Sequence, residues 1–208
     1  MVRLLSVLLF ALWLQGGGSQ KAAPVAASSE LSYAADGQMK FPANYREWIY
    51  LTSGLGMNYN PGTPPDHPMF DNVFVNPSAY KAFLQTGTWP DKTVIVLEVR
   101  GSETKASIDQ SGHSQSPELM GVEVHVKDEA RLPGKWGFFE FGDSATTAKV
   151  IARPATCYTC HEAHGAVDTT FVQFYPTLIG LAQAKKTLSP EYLKERPATA
   201  KPASGTKY

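Results

Sequence analysis

The 208-residue chain is poor in cysteine, has no excess of either charge, and contains one long apolar run. Two cysteines cannot build a disulfide framework, although they can form one bridge, one redox pair or part of one cofactor site. With 19 basic and 19 acidic residues, the chain lacks the charge imbalance of a nucleic-acid-binding protein. A composition of 43% apolar and 18% charged residues excludes a disordered protein and indicates one globular domain with tails.

Both ends of the chain differ from its middle. An apolar run, Leu4–Leu14, follows Arg3 and predicts a signal peptide over residues 1–19, with cleavage as late as about residue 27. The run is shorter than the roughly 20 residues that span a bilayer. We therefore expect a mature protein without a membrane span, periplasmic or secreted. Residues 20–29 then form a linker, 30–188 the folded domain, and the proline-rich stretch 189–208 a flexible tail.

The neutral total conceals an uneven distribution of charge. Residues 30–188 carry 13 basic and 17 acidic side chains, so the predicted domain has a net charge near −4. An acidic domain can attract a basic protein over long distances. A redox protein partner therefore stays open alongside a small-molecule ligand.

Alternating apolar residues predict the main strands. In the predicted strand 93–100, one face carries the apolar side chains Ile95, Leu97 and Val99. In 120–127, valines share one face with Met120, and the other face carries Glu123 and His125. Further strands are predicted at 73–75 and 136–141, helices at 77–87 and 175–186, and a polar loop at 101–118. Neighbouring strands without crossover helices predict an α+β fold with a predominantly antiparallel β-sheet and flanking helices.

The strongest chemical signal is the segment Cys157-Tyr158-Thr159-Cys160-His161, which has the pattern of c-type haem attachment. On a helical turn, residues three apart lie on the same side, so both thiols can reach the two vinyl groups of one porphyrin. The histidine that follows can then ligate the iron as the proximal ligand. The sequence therefore predicts one covalent haem c held by Cys157, Cys160 and His161.

Two other readings of the same cysteines stay open. A redox disulfide between Cys157 and Cys160 would favour a strand before the motif, whereas 152–156 reads as a loop. A zinc site would need two further ligands, and only His164 is close in sequence.

The residue opposite the proximal histidine decides between an electron carrier and a ligand-binding protein, because a carrier fills that position, commonly with Met or His. The candidates in the sequence are Met57, Met69, Met120, His67, His113, His125 and His164. His164 is too close to His161 to reach the far side and is expected in solvent, as is His113. Met120 is expected in the core. The face with Glu123 and His125 meets either solvent or a haem pocket, where a carboxylate could move protons.

The chain resembles the cytochrome P-460 family, which also contains the cytochromes c′-β. The resemblance covers about residues 41–178. It rests on fragments in a matching order: Asn44–Trp48, Val73–Pro77 with Tyr80, Thr86–Gly87, Gly121–Glu123, Val126–Asp128, Trp136 with Phe138 and Phe141, Cys157–His161 and Phe174–Pro176. It implies a β-rich α+β fold, a periplasmic homodimer and a five-coordinate haem c whose cysteines and proximal histidine match the motif above.

Within that family, members called cytochrome P-460 oxidise hydroxylamine and carry an extra covalent bond between the haem and a lysine. The c′-β members lack that activity and bind nitric oxide behind an apolar distal cap. Aligning a family glutamate on Glu98 places Leu97 at the lysine position. Glu123 matches a carboxylate position in the family and is the candidate catalytic residue of the pocket. The candidate distal shields are Phe70, Phe74 and Phe83.

Leucine at position 97 favours a protein of the c′-β type, binding nitric oxide or a similar small ligand at an open or weakly filled iron site. The first alternative is a cytochrome P-460-type oxidoreductase acting on hydroxylamine or nitric oxide. The second is a simple electron-transfer cytochrome, which would use one of the methionines as a ligand.

Overall fold

The computed structural model describes residues 30–59, 67–105 and 107–195. The predicted signal peptide, the linker and residues 196–208 lie outside this part of the chain. Within it, a five-stranded antiparallel sheet follows the chain order β2-β3-β4-β5-β6. Its strands are β2 (Ile49–Leu55), β3 (Phe70–Val75), β4 (Val94–Glu103), β5 (Ser114–Lys127) and β6 (Trp136–Phe141). The α+β class with a mostly antiparallel sheet is therefore confirmed.

The remaining elements are short and lie on the faces and ends of this sheet. A small second sheet pairs β1 (Met39–Lys40) with β7 (Thr147–Ala148). The helices are α1 (Pro77–Thr86), α2 (Thr156–His164), α3 (Ile179–Lys185) and α4 (Pro190–Glu195), with 3-10 turns at Tyr45–Glu47 and Val172–Phe174. As predicted, α1 starts at a proline and ends at Gly87, whose positive φ of 77° is the left-handed conformation that favours glycine.

The register of the sheet sorts the side chains of β4 onto two different faces. Ile95, Leu97 and Val99 line a cavity under the helices. Val94 and Val96 point the other way, into a core that includes Trp48, Val122, Phe139 and Phe141. This alternation agrees with the sequence pattern, because successive side chains of a strand point to opposite faces.

Glu98 shows how strongly the two faces differ. It is 2% exposed and lies on the face opposite Leu97. Its carboxylate accepts hydrogen bonds from Nε of Arg100 (2.7 Å), from Arg46 and from the Tyr45 hydroxyl. The buried carboxylate is thus compensated by two guanidinium groups, as a buried charge requires.

Three predictions of the sequence analysis need correction. The stretch 101–118 is not one loop, because β4 and β5 continue as a paired hairpin through Glu103 and Ser114. Met120 is 50% exposed on this hairpin and does not belong to the core. The predicted tail begins with a helix, α4, in which the amide of Tyr192 donates to the Ser189 hydroxyl.

No helix in the described ranges is long and apolar enough to cross a membrane.

Candidate functional site

A largely apolar cavity of about 400 Å³ lies between one face of the sheet and the segment that follows α2. Three rows of residues, paired across the strands, form its sheet wall. The first row joins Ile95, His125 and Phe138, the second Val73, Leu97 and Glu123, and the third Asp71 and Val99. His161, Thr170, Phe171, Phe174 and Tyr175 also line the cavity.

Tyr158, inside the cysteine motif, anchors α2 against the sheet. Its side chain is 4% exposed, and its hydroxyl donates to the carbonyl oxygen of Ile151 at 2.7 Å. Its ring meets the Phe138 ring edge-on, with 4.9 Å between centroids. Because His161 follows three residues later, almost one helical turn, it is carried to the same side of α2 and towards the sheet.

Aromatic rings surround the imidazole of His161. Phe171 lies 4.1 Å away, Phe138 4.7 Å and His125 4.9 Å, measured between ring centroids. Nδ1 of His161 is 2.7 Å from the carbonyl oxygen of Thr169. A carbonyl only accepts, so Nδ1 carries the proton and donates, which leaves the lone pair of Nε2 for a metal. Burial lowers the pKa of His161, against the opposing effect of this hydrogen bond, and favours the neutral imidazole that a metal needs.

Gly165 lets the chain fold back so that Thr169 can reach His161. A Cβ at position 165 would stand 2.7 Å from the His161 carbonyl oxygen and 2.9 Å from backbone atoms of Thr169 and Thr170. A side chain of any kind would therefore push this turn away from the end of α2. The turn is held from outside by the indole Nε1 of Trp89, which donates to the Thr170 hydroxyl at 2.8 Å.

Both cysteines of the motif are free and half-buried on α2. Neither cysteine is among the residues that line the cavity, whereas His161 of the same helix is. Burial raises the pKa of Tyr59, a residue of the cavity wall, and the charge of Asp71 adds to that effect. The described ranges contain no group of three or more His, Cys, Asp or Glu side chains placed to hold a bare metal ion.

These features fit a haem. A porphyrin needs an apolar space, two thiols on one side of a helix and an imidazole with a free Nε2. The imidazole of His161 lines the apolar cavity, and the helix that carries it, α2, also carries the two thiols three residues apart. Aromatic rings line the cavity beside the histidine, as a macrocycle requires.

The face of β5 with Glu123 and His125 lies over the cavity and not in bulk solvent. Glu123 is directly opposite Leu97 on the neighbouring strand. Partial burial raises the pKa of Glu123, and repulsion from Glu140 and then Asp71 adds to the effect. Burial also raises the pKa of Asp71. The cavity wall thus contains the carboxyl groups of Glu123 and Asp71 next to apolar side chains.

The structure separates the candidates for a second iron ligand. Met57 and Met69 line the cavity, and Met57 packs over Gly54, where a Cβ would lie 2.3 Å from its sulfur. His125 lines it too, but in ring contact with His161. The other candidates, His67, His113, Met120 and His164, are exposed and away from the cavity. His164 is hydrogen-bonded through Nδ1 to Glu195 of α4.

The predicted distal shields are wrong. Phe83 is fully buried in another cluster, against Trp89, and Phe74 packs against Tyr45 and Tyr50 on the opposite face of the sheet. Phe70 does not line the cavity either, and the phenylalanines that do are Phe138, Phe171 and Phe174.

Sequence reasoning also missed Asp71 and Thr169. Asp71 lies two residues before Val73, so an extended strand at 70–75 would have placed both on one face. Thr169 acts through its backbone carbonyl, for which no side-chain pattern gives a signal.

A family model described as cytochrome P460 matches residues 42–172, more than half of the chain. The search of curated proteins found no match to the chain.

The close approach at Gly165 gives a first testable prediction. Replacing Gly165→Ala forces backbone atoms of the turn to move, and we expect a loss of about 1–3 kcal/mol in the free energy of unfolding. Urea denaturation of the purified protein measures it. Gly142→Ala is the matched control, since a Cβ there meets nothing within 4 Å. Equal stability of the two variants would contradict the packing described for this turn.

Proposed function

The chain belongs to the cytochrome P460 family and is a haem protein of that family, and we propose that it binds nitric oxide or a similar small ligand in the manner of the cytochromes c′-β. The proposal includes one haem c attached through Cys157 and Cys160. It also includes export to the periplasm and a homodimer. The apolar N-terminal run supports export, and the family resemblance supports the homodimer.

Each part of the site has a role in this proposal. The thiols of Cys157 and Cys160 would hold the haem through thioether bonds, and Nε2 of His161 would ligate its iron. The carbonyl oxygen of Thr169 orients the imidazole by accepting the hydrogen bond that Nδ1 donates. Phe138 and Phe171 keep water from the faces of the His161 ring. The bound haem supplies an iron atom with a coordination position open to a ligand.

The observation that carries the proposal is the leucine at position 97 in the cavity wall, with the apolar side chains of Val73 and Val99 near it. Leu97 lies between Val73 and Glu123 in the register of the sheet, and all three line the cavity. A leucine cannot form the covalent bond that a lysine forms with haem in cytochrome P-460. An apolar wall with few hydrogen-bond donors favours a neutral diatomic ligand over a charged one.

Glu123 supports the first alternative, an oxidoreductase acting on hydroxylamine or nitric oxide. Its raised pKa favours the protonated carboxyl group over the carboxylate, so Glu123 can hold a proton and pass it on, as an acid–base catalyst would. Electrons from such a substrate would pass to an external redox protein. Met57 and Met69 support the second alternative, an electron carrier, because both thioethers line the cavity.

Visible spectroscopy of the ferrous protein tests the main proposal. We expect a five-coordinate, high-spin spectrum that changes when nitric oxide is added. A six-coordinate, low-spin spectrum that nitric oxide leaves unchanged would contradict it. Met57→Leu and Met69→Leu are the controls: if either converts a low-spin spectrum to a high-spin one, that methionine is a ligand and the protein is an electron carrier.

Mass spectrometry of the digested protein distinguishes the oxidoreductase of the cytochrome P-460 type. Because leucine stands at position 97, we expect haem only on the peptide that contains Cys157 and Cys160. A second, lysine-containing peptide on the same haem would favour the oxidoreductase over the protein that only binds nitric oxide.

Ligand charge gives a prediction for Glu123. Above its raised pKa the carboxylate is negative, so nitrite, an anion at neutral pH, should bind the ferric protein more weakly as the pH rises. At pH values above that pKa, Glu123→Gln removes this charge and should tighten nitrite binding about tenfold, while imidazole, which binds iron in its neutral form, is little affected. The control is Glu118→Gln, an exposed carboxylate outside the cavity. Identical nitrite titrations for Glu123→Gln and the control would exclude a charged Glu123 at the iron site.

A further inference from the structure

His125 is a buried titratable residue that the proposed ligand chemistry does not use. Its side chain points from β5 towards α2, and its ring stacks on Phe138 with 4.0 Å between centroids and an interplanar angle of 8°. Trp136 packs against it at 4.4 Å. A polar ring held this firmly among aromatic residues needs a partner for its nitrogen atoms.

That partner is Thr169. Nε2 of His125 is 3.4 Å from Oγ1 of Thr169, and either group can donate, depending on the tautomer. The carbonyl oxygen of the same threonine accepts the hydrogen bond from Nδ1 of His161. The two histidines are therefore linked through one residue, His125 at its side chain and His161 at its backbone.

His125 is badly placed to act as the second iron ligand. Its ring meets the edge of the His161 ring at 4.9 Å and 75°, and its Nε2 is directed to Thr169. A ligand opposite His161 would have to approach the iron from the far side of the macrocycle. The position of His125 suits a residue that acts on His161.

We propose that His125 is a positioning residue for the proximal histidine: by holding Thr169, it keeps the Thr169 carbonyl on Nδ1 of His161 and thereby sets the strength of the iron–histidine bond. This rests on the proposed function, in which His161 ligates haem iron. A carbonyl that accepts a hydrogen bond from Nδ1 makes the imidazole a stronger electron donor to the iron. A stronger axial donor stabilises the ferric state and lowers the reduction potential.

Two substitutions remove the link at its two ends. His125→Phe keeps a flat ring against Phe138 and Trp136 but has no nitrogen, and Thr169→Val keeps the shape and the carbonyl but lacks the hydroxyl. With either variant, we expect the iron–histidine stretching frequency in the ferrous protein to fall and the reduction potential to become more positive. Resonance Raman spectroscopy and redox titration of the haem-loaded protein measure these changes. The double variant should shift no further than the larger single shift, since both substitutions break one link.

Two control variants separate this role from a structural one. Thr169→Ser restores the hydroxyl and should give values close to those of the wild type. Val126→Ala is the control for lost stability, because Val126 is buried on the same strand but on the other face. It should lower the melting temperature without moving the stretching frequency or the potential.

Wild-type values in both His125→Phe and Thr169→Val would overturn the inference while leaving the proposed function intact. A shift in Thr169→Ser as large as in Thr169→Val would overturn it too, since the hydroxyl would then not be the link. Absence of thioether-bound haem from the wild-type protein would overturn both proposals.

Discussion

The alternation of β4 is the constraint on which the rest of this structure depends. Leu97 and Glu98 are neighbours in the chain, yet one belongs to an apolar cavity wall and the other to a buried ion cluster with Arg46 and Arg100. A shift of one residue in register would exchange these surroundings, placing a carboxylate against the haem site and a leucine among guanidinium groups. The side chains on both faces of β4 therefore destabilise a one-residue shift in register. The position of Leu97 over the cavity is specified as much by Glu98 as by Leu97 itself.

The features that the sequence predicted are those encoded within a few residues. The cysteine motif predicted the site helix, and period-two patterns predicted the faces of β4 and β5, including the shared face of Glu123 and His125. The start of α1 at Pro77 and its end at Gly87 follow from the backbone preferences of those residues.

The features that were missed depend on contacts between distant segments. The extension of β4 and β5 through residues 100–103 and 114–119 is held by backbone pairing, and most of its residues are polar, so the sequence shows no alternating hydrophobic pattern there. The residue type alone could not identify the phenylalanines that line the cavity. Phe83 and Phe171 are the same amino acid, and only the tertiary fold places one in a separate core and the other in the cavity wall. The acceptor for His161 is a backbone carbonyl, and it comes within reach only because Gly165 lets two stretches of main chain touch.

Hydrogen bonds tie α4 and the residue before it to the turn that follows α2. The Ser189 hydroxyl donates to the Gly165 carbonyl oxygen at 2.6 Å, and the Ser189 amide donates to the carbonyl of Ala166 at 2.8 Å. Glu195 is paired with His164 at the end of α2. The segment after residue 188 is thus tied to the turn that positions His161. Local opening of α4 would loosen this turn, so we expect amide hydrogen exchange in α4 and in the turn after α2 to be coupled within one cooperative unit of the native state.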